Sequence, residues 1–320
     1  MKAMGQRSWA QNQPLELLDL PAPEPKPDEV RVRVAAIGVN PVDWKMREGG
    51  PIRLAARLLG PSLPFVPGLD FAGTIEVVGA KVSGLKIGDR VAGGTDFSRG
   101  QRGSYAELVT ARPDQLCVVP DNVSFESAGG IAVAGCTAWM SVLELGQLAK
   151  GGSSPAVLIL GAAGGVGQFA VQIAKMKGAQ VVGVCSAKNV ELVRALGADT
   201  VLDYGKGDAL AQARPLAPYQ VVVDCVGGYS ASGCRDLLTA SGRHVMVAAG
   251  SSAPQMLVPP FKSKNVLGRS TTERLNGVLQ GIASGQIKVA IAERFLLAEA
   301  EKAHAMSRLG RTVGKLLLIP

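Results

Sequence analysis

The chain has 320 residues, 47% hydrophobic and 4% aromatic, with 40 glycines and a formal charge of +8. This length and apolar content can bury a core large enough for two domains, and abundant glycine without low-complexity tracts excludes a disordered or fibrous chain in favour of an α/β protein with many tight turns. Lys and Arg are interspersed with acids, and no apolar run reaches the roughly 18 residues of a membrane span. Neither a nucleic-acid partner nor a membrane is expected.

The five cysteines, Cys117, Cys136, Cys185, Cys225 and Cys234, show no paired spacing and read as reduced, small apolar side chains. The opening MKAMGQRSWAQNQP lacks the apolar core of a signal peptide, so a cytoplasmic location is the expectation.

Residues 1–122 read as β-rich. In EVRVRVAAIGVN, Val30, Val32 and Val34 alternate with Arg31 and Arg33, the period of a strand with one buried face. In GVNPVDWKMREGG, Pro41 suits the first turn of a short helix and Asn40 its N-cap, so Asn40, Asp43 and Lys45 emerge where a strand ends. PFVPGLDFAGTIEVVGAKV, IGDRVAGG and GSYAELVTA then give short strands between glycine and proline turns, as in a compact irregular barrel or sandwich. Tyr105 reads as packing, and Asp43 with Asp70 as structural hydrogen-bonding groups.

From residue 123 helices and strands alternate. Thr137, in GCTAW, either contacts a cofactor or begins a helix. PAVLILGAAGGVGQFAVQIAKM follows. Val157 to Leu160 are a continuous apolar run, as in a parallel strand buried on both faces, and from Val166 the apolar residues take helical spacing. Strand, glycine turn and helix make a phosphate site. Gly164 and Gly165 let backbone approach a pyrophosphate, Gly167 lets the helix pack closely, and the helix start around Gly164, Gly165 and Val166 points N–H groups at the anion. Ala162 stands where the first glycine of GxGxxG is usual.

About 20 residues past such a turn, an NAD site places an acid on the ribose 2′-hydroxyl. The chain instead offers Ser186, Lys188 and Asn189 after the strand Val181 to Val184. A hydroxyl, an ammonium and an amide suit a 2′-phosphate, so NADPH is expected over NADH. The alternative is that Ser186 and Asn189 cap the helix from Val190 to Leu196 and Lys188 is solvated.

Strand TVLDY, helix GDALAQA, strand VVVDCVGG, a helix through Cys234 to Thr239 and strand HVMVAA complete a doubly wound parallel sheet. Ligands bind at the carboxyl ends of such strands, which places Tyr204 on the adenosine side and Val226 and Gly250 beside the nicotinamide. Two helices, TERLNGVLQGIASGQ and LAEAEKAHAMSRLG, and a final strand GKLLLIP end the chain, and Lys315 in that strand is a candidate phosphate contact.

GVNPVDWKMREG, PGLDFAGTIEVVGAKV, GDRVAGG, GSYAELV, GAAGGVGQFAVQIAK, CSAKNVELVRALGADTVLDY, VVVDCVGG and GKLLLIP occur in the order found in the zinc-independent quinone oxidoreductase and alkenal/alkenone reductase branch of the medium-chain dehydrogenase/reductase superfamily. The chain resembles that branch over almost its whole length. The resemblance implies a GroES-like β-rich catalytic domain from residues 1–122 and 263–320, with a Rossmann doubly wound parallel-sheet domain, residues 123–262, binding NADPH between them in sequence. It also implies a homodimer.

The resemblance further aligns Asn40 with a zinc-binding Cys of zinc alcohol dehydrogenases, and Leu69 and Asp70 with a His and Glu pair. Here those ligands are missing, as are the four clustered cysteines of a structural zinc lobe after Gly93, and His244 and His304 read as structural. No metal is expected. A zinc-free site with NADPH suits hydride addition to the activated alkene of an enone or enal, or to a quinone.

Asn40, near the nicotinamide ribose, and Lys45, as proton donor or phosphate contact, are the catalytic candidates; a solvated Lys45 and a capping Asn40 are their structural alternatives. Lysine rather than tyrosine at position 45 resembles the alkenal reductases and shifts weight toward enones. Quinone reduction as the main activity, and a non-enzymatic NADPH-binding or RNA-binding protein, remain the other readings.

Overall fold

The structure, a computed structural model, describes residues 1–9, 13–48, 53–54, 58, 63–247, 262–266 and 269–320. Gly250, anticipated beside the nicotinamide, lies outside the described residues. The chain forms two compact units, one of Met1–Val133, Ser270–Ala283 and Ile291–Pro320, the other of Ala134–Arg269 and Ser284–Ala290.

The first unit opens with a two-stranded antiparallel ribbon, β1 (Lys2–Gly5) and β2 (Glu16–Asp19). Next come β3 (Val30–Val39), helix α1 (Pro41–Glu48), β4 (Asp70–Val78), β5 (Arg90–Gly94), β6 (Leu108–Ala111) and β7 (Leu116–Val118). Alternation in β3 does what the sequence demands: Val30, Val32 and Val34 are buried while Arg33 is exposed, and the three valines join Phe71, Ile75, Val91 and Leu116 in one core.

The second unit begins with α2 (Ala134–Trp139), then β8 (Ala156–Leu160), α3 (Gly165–Met176), β9 (Gln180–Cys185), α4 (Val190–Ala195), β10 (Thr200–Asp203), α5 (Ala209–Ala213), β11 (Tyr219–Asp224), α6 (Ala231–Arg235), β12 (Leu238–Met246) and β13 (Ser263–Asn265). Among the described residues its six strands are all parallel, in the order β10-β9-β8-β11-β12-β13. The central strands are buried on both faces, which is why Val157 to Leu160 and Val221 to Val223 read as unbroken apolar runs.

One helix boundary departs from the sequence expectation. Helix α6 stops at Arg235, and Leu238 and Thr239 already belong to β12. Between the pairs Tyr219↔Leu238 and Val221↔Arg243, β12 carries extra residues, and the hydroxyls of Thr239 and Ser241 donate to Oε1 of Gln220 at 2.9 and 3.2 Å. A side chain of the neighbouring strand therefore holds a segment whose local pattern continues a helix.

The chain then returns to the first unit through α7 (Thr272–Ala283), β14 (Ile291–Leu296), α8 (Ala300–Arg308) and β15 (Lys315–Ile319). β15 inserts antiparallel to β3, completing the sheet β14-β15-β3-β4-β5-β7, with β6 also on β3. Strand β14 went unread in the sequence because it is an exposed edge, with no buried alternation to reveal it.

The units divide after Val133 and Arg269, whereas the sequence reading divided them after residues 122 and 262. Val133 stays with the first unit because its N–H donates to Oδ1 of Asp70 at 2.6 Å. Residues 284–290 stay with the second: Lys288 N–H and Ala290 N–H donate to the side-chain carbonyls of Gln172 and Gln168 on α3 at 2.7 and 2.9 Å. The first unit is GroES-like and the second a Rossmann-type doubly wound sheet. No helix among the described residues is long and apolar enough to cross a membrane.

Candidate active site

In the second unit, β8 leads into α3 through a turn whose one left-handed residue is Gly161, at φ +82°. The N–H groups of Gly161 and Ala162 both donate to the carbonyl of Val184 on β9, at 3.1 and 2.9 Å. Because the left-handed position is Gly161, an alanine at position 162 keeps ordinary backbone, and loss of the first fingerprint glycine is tolerated. Gly167 has no such latitude. A Cβ there would lie 2.2 Å from the Gly161 carbonyl oxygen and 2.9 Å from the backbone of Ala162.

Gly164 is the N-cap of α3, in extended conformation, with its own N–H bonded to Gly161 O at 3.1 Å. It has no side chain with which to cap, so the amides of Gly165 and Val166 are the orphan donors of a helix start, at residues that are only partly buried. This arrangement fits a dinucleotide pyrophosphate.

At the carboxyl end of β9, Ser186 and Asn189 bond to each other, Asn189 Nδ2 donating to Ser186 Oγ at 3.1 Å, and neither side chain caps a helix. Lys188 beside them is exposed. β10 lies alongside with Asp203 opposite Cys185, and the Asp203 carboxylate accepts from Gly205 N–H at 2.8 Å. Tyr204, next in the chain, is 56% exposed, and Val226 after β11 is 53% exposed. These are large apolar side chains left uncovered at strand ends. Thr137 lies within α2, nearly buried, its carbonyl accepting from Ser141 Oγ at 2.7 Å.

In the first unit, β3 ends at Val39 and α1 begins at Pro41, with Asn40 between them. Asn40 occupies the N-cap position but does not cap with its side chain: its Oδ1 accepts from Lys315 Nζ at 2.6 Å. The capping bond runs the other way, from Asn40 N–H to Oδ2 of Asp43 at 2.8 Å. Lys315 is buried, and its other bonds reach Val39 O and Asp70 Oδ2, both at 3.3 Å, so protein oxygens take the place of the phosphate anticipated for it. Lys45 is exposed, its ammonium 5.5 Å from the ring centroid of Trp44.

Beneath α1 lies a second buried network. Asp43 Oδ2 also accepts from Tyr105 Oη at 3.1 Å, Tyr105 Oη lies 3.0 Å from His304 Nε2, and Arg47 lies 2.8 Å from His304 Nδ1. Burial pushes the Asp43 carboxyl up to about 7, against the pull of the Asn40 N–H, and the nearby charge of Asp70 adds to the rise. Burial and then the Arg47 charge hold His304 well below the usual histidine range. His244, whose Nδ1 is 3.1 Å from Ser263 Oγ, is pushed down to about 4, chiefly by burial. Tyr105 is thus a structural link, and both histidines are engaged in hydrogen bonds.

Zinc does not fit these residues. Asn40 and Asp70 offer an amide and a carboxylate oxygen, with no thiolate or imidazole beside them among the described residues, and the ammonium of Lys315 already bonds to both. Sequence reasoning brought Asn40 and Asp70 together through the zinc-site resemblance but read Lys315 apart from them. No local signal joins Lys315 to the other two, since β15 meets β3 only in the folded sheet.

The family patterns that match are the alcohol dehydrogenase GroES-like domain over residues 26–121 and the zinc-binding dehydrogenase domain over residues 196–318. A chloroplast envelope quinone oxidoreductase homolog of Arabidopsis thaliana is 32% identical over 321 residues, covering 96% of this chain and 94% of the relative. A trans-enoyl reductase of Aspergillus terreus is 37% identical over 206 residues, covering 63% of this chain and 56% of the relative. The structure of the quinone oxidoreductase from Coxiella burnetii superposes with a TM-score of 0.88 at 30% identity, over 100% of this chain and 99% of that one. The chain belongs to the quinone oxidoreductase branch of the medium-chain dehydrogenase/reductase superfamily, and it is an oxidoreductase that works with a nicotinamide cofactor.

Proposed function

We propose that the protein is an NADPH-dependent reductase that acts without zinc on the activated C=C of a small α,β-unsaturated ketone or aldehyde, or on a quinone. What carries the cofactor choice is the group Ser186, Lys188 and Asn189 at the end of β9: two polar side chains not spent on capping and one exposed ammonium, with no carboxylate among them. A carboxylate free to accept a ribose 2′-hydroxyl is replaced by donors suited to a 2′-phosphate.

In this reading Gly164, Gly165 and Val166 hold the pyrophosphate, Tyr204 covers the adenosine side, and Thr137, Val226 and Gly250 serve the nicotinamide half. Bound NADPH supplies the hydride. Asn40 offers an amide donor to the nicotinamide end, and Lys45, exposed and free to move its ammonium, donates to the oxygen on which negative charge develops, or contacts the cofactor. Lys315 is withdrawn from phosphate binding because it is buried against Asn40 and Asp70. The protein acts as a cytoplasmic homodimer.

The quinone and enone readings share this machinery, and relatives bearing both kinds of name support them. Anaerobic consumption of NADPH and of NADH, with a short conjugated enone and with an aromatic ortho-quinone, separates them. A saturated ketone formed with NADPH establishes alkene reduction. Turnover of the quinone alone makes quinone reduction the main activity, and equal use of NADH removes the 2′-phosphate assignment.

A further inference from the structure

Lysine is seldom buried, and a buried ammonium needs acceptors for its three protons. Lys315, 2% exposed, finds them in Asn40 Oδ1, Asp70 Oδ2 and the carbonyl of Val39. The shortest of the three, 2.6 Å, goes to the neutral amide and not to the carboxylate at 3.3 Å. Asp70 divides its oxygens between Lys315 and the N–H of Val133. Its negative charge balances the ammonium, and Asn40 is the group that the pair grips.

The sheet fixes this contact. β15 runs antiparallel to β3 with Leu316 opposite Val39, so the residue before Leu316 falls beside the residue after Val39, where the chain turns into α1. Asn40 is consequently held at two points, its backbone N–H by Asp43 and its side-chain carbonyl by Lys315. An ammonium has only protons to give, so it selects the oxygen of the amide and dictates which way the amide faces. The NH2 end is turned away from Lys315. One of its protons reaches Gly38 O at 3.4 Å, and the other has no acceptor among the described residues.

We propose that Lys315 is a positioning residue for the reductase: by clamping the carbonyl of Asn40 it presents the Asn40 NH2 as an oriented donor to the nicotinamide end of the cofactor. The inference rests on the reading that Asn40 contacts that end. Lys315 itself touches neither cofactor nor substrate. Its ammonium holds the oxygens of Asn40 and Asp70 together.

Lys315→Met alone leaves Asp70 buried without its counter-charge and risks unfolding, so the informative variant is Lys315→Met with Asp70→Asn, which removes both charges together. Calorimetry would compare NADPH with 2′,5′-ADP, which carries the adenosine half only. The pair variant is expected to bind 2′,5′-ADP like the parent and NADPH about 3- to 10-fold more weakly, the loss of one oriented hydrogen bond. With the acceptor that the parent reduces, kcat is expected to fall about 10- to 100-fold through misorientation. In an Asn40→Ala background the same pair of substitutions should change NADPH affinity little, because the group being oriented is already gone.

Parent-like NADPH affinity and kcat in the pair variant, or losses that multiply with those of Asn40→Ala, would overturn the positioning role. If Asn40→Ala itself leaves NADPH affinity unchanged, the placement of Asn40 at the nicotinamide fails and this inference falls with it. If Asn40→Ala weakens NADPH and the pair variant does not, only the inference fails.

Discussion

The hydroxyl of Tyr105 donates to Oδ2 of Asp43 across 3.1 Å, and its direction is imposed from the far end of a buried chain of bonds. Arg47 can only donate, so Nδ1 of His304 must accept from it, Nε2 must carry the ring proton and give it to Tyr105 Oη, and the hydroxyl proton is left for Asp43. Arg47 is anchored in turn on Glu301 of α8 at 2.5 Å. The helix that begins after Asn40 is thereby tied to the C-terminal helix through the core.

Tyr105→Phe breaks this chain at its middle: the His304 N–H loses its partner, and the Asp43 carboxyl keeps only the Asn40 N–H. One buried donor left unpaired costs about 1–3 kcal/mol. Urea unfolding of the parent and the variant at pH 7 measures it; a difference below about 0.5 kcal/mol would mean that water replaces the hydroxyl without loss.

Asp43 makes stability depend on pH in a direction opposite to that of an ordinary paired carboxylate. Its carboxyl titrates at about 7 in the folded protein against a usual value of 3.8, so the fold retains a proton that the unfolded chain releases. The stability it contributes is full below 3.8 and is lost as pH rises to about 7. The buried histidines act the other way, complete above 6.5 and lost on acidification, for His244 toward about 4. Asp43→Asn removes only the first effect. Relative to the parent, the variant should gain about 2–4 kcal/mol as pH rises from 4 to 7, read from urea midpoints at unit steps; a constant gap would show that Asp43 does not titrate in that window.

Gly167→Ala drives a methyl group into the Gly161 carbonyl oxygen and the Ala162 backbone, neither of which is the yielding end of a flexible side chain. The turn must shift, at about 1–3 kcal/mol. Thermal unfolding should show the loss, and on the proposed reading NADPH affinity should fall with it because the displaced turn precedes the free amides that start α3. A parent-like melting curve would contradict the close approach of α3 to its turn.

Lys188→Ala should weaken NADPH binding roughly tenfold and leave NADH almost unaffected, as removal of one charge-assisted contact to a 2′-phosphate requires. Fluorescence titration with both cofactors tests it. Equal losses for the two would return Lys188 to the solvent.

Prolonged dialysis against a strong chelator should leave turnover unchanged, and zinc added back should not raise it. Asn40, Asp70 and the intervening ammonium of Lys315 are the residues from which this follows. Activity lost to the chelator and restored by zinc would disprove it.

Five of the six described strands of the second unit were legible from the sequence because their signals are local; the three-residue β13 was not. A parallel strand buried on both faces must be continuously apolar, a phosphate-facing turn must be rich in glycine, and each helix between strands carries its own period. Val157 to Leu160, Gly161 to Gly167 and Val181 to Val184 each declare themselves within a few residues. The helix read through Thr239 failed for the opposite reason: its end is set by Gln220 of the neighbouring strand, a contact that no local window contains. Strand β14 likewise exists because β15 pairs with it and carries no inward face of its own.

The sequence by itself determined the doubly wound sheet, the glycine turn with its open helix start, the polar group at Ser186 to Asn189, and the family to which these belong, since each depends on residue types at short and fixed spacings. Only the tertiary structure decided the first unit's buried chemistry. Asn40 read as a contact near the nicotinamide ribose or a helix cap and Lys315 as a phosphate ligand, each a reasonable choice for an isolated residue with a free polar tip. Pairing of β3 with β15 removed both from water and left the ammonium no better acceptor than the amide and carboxylate facing it. A buried charge takes the partners that the fold puts within reach, and strand pairing across the length of the chain chose them.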